Sequence, residues 1–189
     1  MSETAKRKIS TKDLAILPVF SVLTAVGAFI RIPIGVVPVS LQTVFVVISA
    51  LILGKKAFYA QLIYVLLGLL GLPVFTGGGG IGYVFTPTFG YLLGFMVAAY
   101  LMGALREKLV TLSFMRLALI ALLGLLVIYG LGVSYLYLLK NLILPGTPMG
   151  LYDAIRYGAL LFLPMDTLWC LFGALLSERL LKHPAFRNR

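Results

Sequence analysis

Asp166 is the residue most out of place in this chain. It lies in the run Leu161-Phe-Leu-Pro-Met-Asp-Thr-Leu-Trp-Cys170, which is otherwise apolar apart from Thr167. An ionisable side chain near the centre of a membrane span costs about 2.5–3.5 kcal/mol on insertion scales, so such a residue is a functional candidate by default. The competing role is a cap near the outer interface for the helix that restarts after Pro164. Trp169 follows three residues later and is expected on the same helix face. Arg156 and Arg31 are candidate partners for the carboxylate.

A second concentration of unusual chemistry is the uncharged stretch Gly71–Tyr91. It holds Gly77, Gly78, Gly79, Gly80 and Gly82, then Tyr83, Thr86, Thr88 and Tyr91. Glycines let backbone approach a ligand and expose N–H donors. The tyrosines add flat apolar faces with a polar handle. A merely flexible linker is richer in small polar residues; this stretch is apolar and aromatic, which predicts that it packs back onto the protein and lines a site. It is no phosphate loop, because no Gly-Lys-Ser/Thr follows. A third candidate is Ser40-Leu-Gln-Thr43, after a segment held out of helix by Pro33, Gly35 and Pro38. Ser40 fits a helix cap. Gln42 and Thr43 remain as hydrogen-bonding candidates for a binding site. No catalytic set, metal-ligand cluster or cofactor motif is evident: Cys170 is the sole cysteine and His183 the sole histidine.

These residues need elements to hold them. Of 189 residues, 61% are hydrophobic and 12% charged, against roughly 45–50% and 25% in soluble domains. That excludes an ordinary cytosolic enzyme, a disordered chain and a free nucleic-acid binder. Six apolar segments approach the length of about 17–25 residues that a bilayer crossing needs: 14–32, 39–54, 57–75, 89–105, 115–139 and 157–177. The second and third are separated only by Gly54-Lys55-Lys56, which predicts an antiparallel hairpin. The expected fold is an all-α integral membrane protein, one compact six-helix domain over residues 1–189.

The net charge of +10 follows topology. Lys6, Arg7, Lys8 and Lys12 precede the first span, and Lys55 and Lys56 lie in the second turn. Arg106, Lys108 and Arg116 flank the fourth connection, and Arg179, Lys182, Arg187 and Arg189 sit at the C-terminal end. The opposite side keeps Arg31, Lys140 and Arg156. Basic loops mark the cytoplasm, so both termini are expected there, with the glycine-rich loop outside. The basic ends also suit anionic lipid. Tyr129, Tyr135 and Tyr137 read as packing and interfacial aromatics. Ser21 and Ala25 form a small-xxx-small pair, as do Thr24 and Ala28. Such stripes serve close helix packing, either inside the bundle or against a separate membrane subunit.

Three stretches together resemble the BioY family: Pro38-Val-Ser-Leu-Gln-Thr43, Gly68-Leu-Leu-Gly-Leu-Pro-Val-Phe75 with its glycine run, and Pro87-Thr-Phe-Gly-Tyr-Leu-Leu-Gly-Phe95. That family comprises biotin-binding S-components of energy-coupling factor (ECF) importers. The resemblance implies an outward-facing biotin site, no enzymatic activity, a location in the cell membrane, and partners: a membrane T-component and two cytosolic ATPases. It implies that Asp166 accepts the ureido N–H groups and that Gln42, Thr43 or Thr86 serves the ureido carbonyl. Tyr83, Tyr91 and Trp169 would then enclose the ring, and the stripe of Ser21 and Ala25 would dock the T-component. The chain departs from the family at two positions. Phe89 replaces a usual glycine, and Trp169 stands where a Lys is usual. The ligand's carboxylate must then use Arg31, Arg156, glycine-loop N–H groups or water. A related vitamin-like ligand and a self-sufficient carrier stay open as alternatives.

Overall fold

The computed structural model describes residues 11–32, 37–144, 146 and 148–183. Lys6, Arg7, Lys8, Pro33, Gly35, Arg187 and Arg189, used above, lie outside the described residues. Helix α1 (Thr11–Phe29) leads into a two-stranded antiparallel ribbon, β1 (Arg31–Ile32) and β2 (Val39–Ser40). Then come α2 (Gln42–Leu53), α3 (Ala57–Leu69), α4 (Phe89–Glu107), α5 (Phe114–Leu138), α6 (Leu151–Ile155) and α7 (Leu163–Lys182). The described fold is all-helical apart from the ribbon. The stretches Gln42–Leu69, Phe89–Glu107, Phe114–Ile143 and Leu151–Lys182 are long and apolar enough to cross a bilayer; Leu14–Phe29 is a shorter apolar helix.

The stretch Gln42–Leu69 is folded in two. As one straight helix, it would separate residues 42 and 64 by about 33 Å at 1.5 Å per residue. Instead the Gln42 side-chain amide donates to the Tyr64 hydroxyl at 2.7 Å, and the Gln61 amide donates to Ser49 Oγ at 3.2 Å. These pairs step in opposite directions from Gly54, as an antiparallel hairpin requires. Gly54 makes the reversal with φ +64°, where an L side chain is strained. The turn also lies against α4, where a Cβ on Gly103 would collide with the Gly54 backbone. Glu107 fastens the contact. Its Oε1 accepts from the Lys55 backbone N–H at 3.0 Å, and its Oε2 lies 3.6 Å from Lys55 Nζ.

Helix α2 is the centre of the bundle. Every one of its residues except Phe45 is buried, and it packs against α1, α3, α4, α5 and α7. Its near-continuous apolar sequence fits that position, because a helix apolar all round must be covered all round. The outer helices instead expose large apolar side chains, among them Val19 and Val22 on α1, Leu119 and Leu126 on α5, and Leu168 and Phe172 on α7. An apolar girdle of this extent is a lipid-facing surface.

Several expected boundaries move. The first segment stops being helical at Phe29, because residues 31–32 enter the ribbon ahead of Pro33. Residues 39–40 are likewise strand, so the second segment begins its helix at Gln42. The third ends at Leu69, where Gly71 takes φ +107° just before Leu72-Pro73. The last segment is interrupted: α6 passes into a π turn (Arg156–Leu160), and α7 restarts with Pro164 in its first turn, where the missing N–H costs nothing.

The small-residue stripe on α1 packs largely inside the bundle. Ser21 is 2% exposed, and its hydroxyl donates to the Ala60 carbonyl of α3 at 2.6 Å. Thr24 Oγ1 accepts from the fully buried Gln61 amide at 3.3 Å. Within this chain Ser21 and Thr24 belong to a buried polar junction of α1, α2 and α3. Ala25, partly buried, packs against the core alongside it.

Candidate binding site

A cavity opens at the end of the bundle that carries the ribbon and the glycine-rich connection. Its walls come from the segment 37–40, the first turn of α2, Thr76, the first turns of α4, mid-α5 and the start of α7. It encloses about 500 Å³ of empty space, counted to its open mouth. Leu92, Phe95, Ile128 and Phe162 supply apolar wall; Ser40, Gln42, Thr43, Thr88, Tyr129 and Asp166 supply hydrogen-bonding groups.

Asp166 is 7% exposed. Tyr129 of α5 donates its hydroxyl to Asp166 Oδ2 at 2.7 Å. Asp166 Oδ1 is buried and makes no hydrogen bond of normal geometry among the described residues, although the Thr43 hydroxyl lies close enough to the carboxylate to stabilise its charge. A buried carboxylate oxygen left unmatched is costly, and here it borders a cavity into which a donor can be brought. The α7 stripe Asp166, Cys170, Gly173, Ala174, Ser177 and Leu181 is buried, following the i, i+4, i+7 spacing of one helix face.

Gln42 has a fixed orientation. Its Oε1 accepts from Ser40 Oγ at 3.1 Å and its Nε2 donates to Tyr64, which in turn donates to the Val74 carbonyl at 3.1 Å. The helix cap expected of Ser40 is absent: Leu41 occupies the N-cap position with no side-chain cap bond. Ser40 orients Gln42 instead.

Five expected site residues meet in the cavity: Gln42, Thr43, Thr88, Tyr91 and Asp166. The others stand outside its lining. Tyr83 lies behind it, accepting from Thr88 Oγ1 at 2.8 Å, with its hydroxyl 3.0 Å from Thr76 Oγ1; it positions two lining hydroxyls. Thr86 donates to the Tyr83 carbonyl at 2.7 Å. The glycine run folds onto α3 and consumes N–H groups that were expected to face a ligand. Gly78, at φ +116°, donates to the Phe75 carbonyl at 3.2 Å, and Gly80 donates to the Gly68 carbonyl at 2.7 Å. Gly77 lies against the Tyr83 ring. Trp169 does not share the face of Asp166. It is partly buried, edge-on to Phe172 with centroids 6.4 Å apart, outside the buried stripe of α7.

Tyr129 is the main residue missed. The sequence treats it as one of several packing tyrosines, yet it lines the cavity and holds the carboxylate. Its only sequence signal is that a buried tyrosine hydroxyl needs a partner. Thr76 and Phe162 were missed as well.

An apolar girdle around a cavity with one buried carboxylate defines a membrane-embedded protein that binds a small molecule. The comparisons narrow this class. The BioY family model matches residues 2–185. The chain is 41% identical over 174 residues to the "Probable biotin transporter BioY" of Lysinibacillus sphaericus, covering 92% of this chain and 88% of that one. It is 39% identical over 166 residues to the "Biotin transporter BioY" of Thermotoga maritima, covering 87% and 92%. Its fold matches a crystal structure of the S-component for biotin from an ECF-type ABC transporter, with TM-score 0.83 and 25% identity over 100% of this chain and 98% of that one. The chain belongs to the BioY family. It is a multi-pass integral protein of the cell membrane, and its family is one of transporters, not enzymes.

Proposed function

We propose that the chain captures biotin from outside the cell as the S-component of an ECF importer. Residues 1–189 form one domain with six crossings, the hairpin arms α2 and α3 counting as two. Both termini are cytoplasmic and the cavity faces outward, as the distribution of Lys and Arg implies. The sequence has no ATP-binding motif, so a membrane T-component and two cytosolic ATPases supply the energy.

The observation that carries this reading is the unmatched, buried Oδ1 of Asp166 at the cavity wall, in a chain 41% identical to a probable biotin transporter. Biotin's ureido ring presents N–H donors, and bonds from such donors to an ionised acceptor are about twice as strong as neutral ones. Oδ1 accepts a ureido N–H while Tyr129 holds Oδ2. The second N–H of the Gln42 amide serves the ureido carbonyl, with Thr43 and Thr88 lining the cavity beside it; the Thr88 hydroxyl, whose hydrogen goes to Tyr83, is left as an acceptor. Tyr91, Phe95, Ile128 and Phe162 enclose the thioether ring, whose burial supplies the non-directional part of the affinity. Tyr83, Thr86, Gly77 and Gly78 frame this site without touching the ligand.

Calorimetry of the detergent-solubilised protein against biotin, thiamine and riboflavin tests the assignment. Saturable one-site binding of biotin alone is expected; binding of another vitamin in preference to biotin overturns it. Uptake into liposomes by the chain alone, without ATPase partners, would favour the self-sufficient carrier.

A further inference from the structure

The cavity is lined by one carboxylate and, among its described lining residues, by no Lys, Arg or His. A ligand that is itself a carboxylate therefore cannot have its anionic end neutralised inside. Placed there, it would share a low-dielectric space with Asp166, where like charges repel strongly. The head can occupy the cavity only if the anionic tail leaves it.

The ribbon provides the exit. Its register pairs Arg31 with Ser40, and cross-strand partners project from the same face of a ribbon. Ser40 lines the cavity, so Arg31 stands beside a lining residue at the rim. Arg31 is exposed and has no acidic partner among the described residues. Of the other cations on this side, Arg156 lies over the Tyr157 ring at 5.4 Å and Lys140 sits in the π turn Leu139–Ile143, and neither lines the cavity.

The geometry points to Arg31 as the anion anchor of this site: the ligand's polar head binds at Asp166, its aliphatic tail passes Ser40, and its carboxylate meets the Arg31 guanidinium at the rim. This rests on the biotin reading above. A planar guanidinium engages a carboxylate through two parallel bonds, and at a solvated rim the pairing is weak and screened by salt. Arg31 thus sets preference among ligands that share a head, and an uncharged tail is tolerated.

The test compares biotin with biotin amide, in which the carboxylate is neutral, by calorimetry on the full chain and on Arg31→Ala and Arg31→Glu. The parent is expected to prefer biotin by roughly 1.5- to 5-fold at low salt, a preference that shrinks as salt rises. Arg31→Ala should lose that preference while biotin amide binds as before, and Arg31→Glu should invert it. Equal weakening of both ligands in both variants overturns the proposal, because Arg31 would then only hold the ribbon. An unchanged preference for biotin in Arg31→Ala overturns it too, since the anion would be held elsewhere. A parent that binds neither compound refutes the biotin reading itself, an outcome distinct from the other two.

Discussion

The hydroxyl of Tyr129 on α5 donates to Asp166 Oδ2 on α7 at 2.7 Å, and Oδ1 of the same carboxylate stays buried with no hydrogen bond of normal geometry among the described residues. One oxygen is held by the protein, and in the proposed site the other receives the ligand. A carboxylate fixed in this way is pre-organised, so binding does not have to freeze its rotation. In the proposed site Tyr129 acts on the ligand through Asp166. Tyr129→Phe removes one hydrogen bond worth about 0.5–1.5 kcal/mol, so biotin should bind roughly 2- to 12-fold more weakly. In an Asp166→Asn background the same change should cost nothing further, because coupled residues are not additive. Additive losses in the calorimetric double-mutant cycle would make Tyr129 a packing residue only.

Trp169 stands outside the cavity lining, partly buried against the core and edge-on to Phe172. Trp169→Phe should leave biotin affinity within about 2-fold, because it keeps an aromatic ring at a position outside the cavity lining. A loss of tenfold or more in the same titration would show that the indole reaches the ligand.

The hairpin turn should be intolerant of side chains. Gly54 has φ +64°, a conformation that costs an L residue about 1–2 kcal/mol, and a Cβ there would crowd the Glu107 carboxylate. Gly54→Ala should lower the unfolding temperature in detergent by several degrees, and Gly103→Leu should lower it more, since its side chain would collide with backbone. A Gly103→Leu protein as stable as the parent would contradict the close crossing of α4 with the turn.

Much of this arrangement can be read from the sequence, for identifiable reasons. Gly54-Lys55-Lys56 between two apolar runs leaves no room for anything but a reversal. Asp166 stands out because charge in a span is costly, and Gln42 because capping does not explain it. Tyr129 is not legible: in a 25-residue apolar helix, a tyrosine facing the cavity and one facing lipid look alike. Trp169 is misplaced by angle. Three residues along a helix turn about 300°, which leaves it about 60° off the face of Asp166, and the buried positions of α7 run the other way, through Cys170. The ribbon of Arg31 and Ser40 is too short to leave a periodic signal. The glycine run reads as ligand-facing because its N–H groups look free, whereas contacts distant in sequence, such as Gly80 with Gly68, occupy them.

Orientation follows from charge alone and is checked by labelling. A cysteine at Gly82, in a Cys170→Ala background, should react in intact cells with a membrane-impermeant maleimide added outside, while one at Lys56 should react only after permeabilisation. The reverse pattern would put the cavity on the cytoplasmic side and rule out capture from outside.

The most direct measurement is a calorimetric titration of biotin into the solubilised parent and into Asp166→Asn. The substitution keeps the size of the side chain, removes its charge and turns part of the acceptor into a donor. Loss of a charged hydrogen bond, about 1.5–3 kcal/mol, should weaken binding by roughly 10- to 150-fold while the protein stays folded. Equal affinity of the two proteins for biotin would contradict the account, because Asp166 would then be a structural residue and the ligand would bind elsewhere.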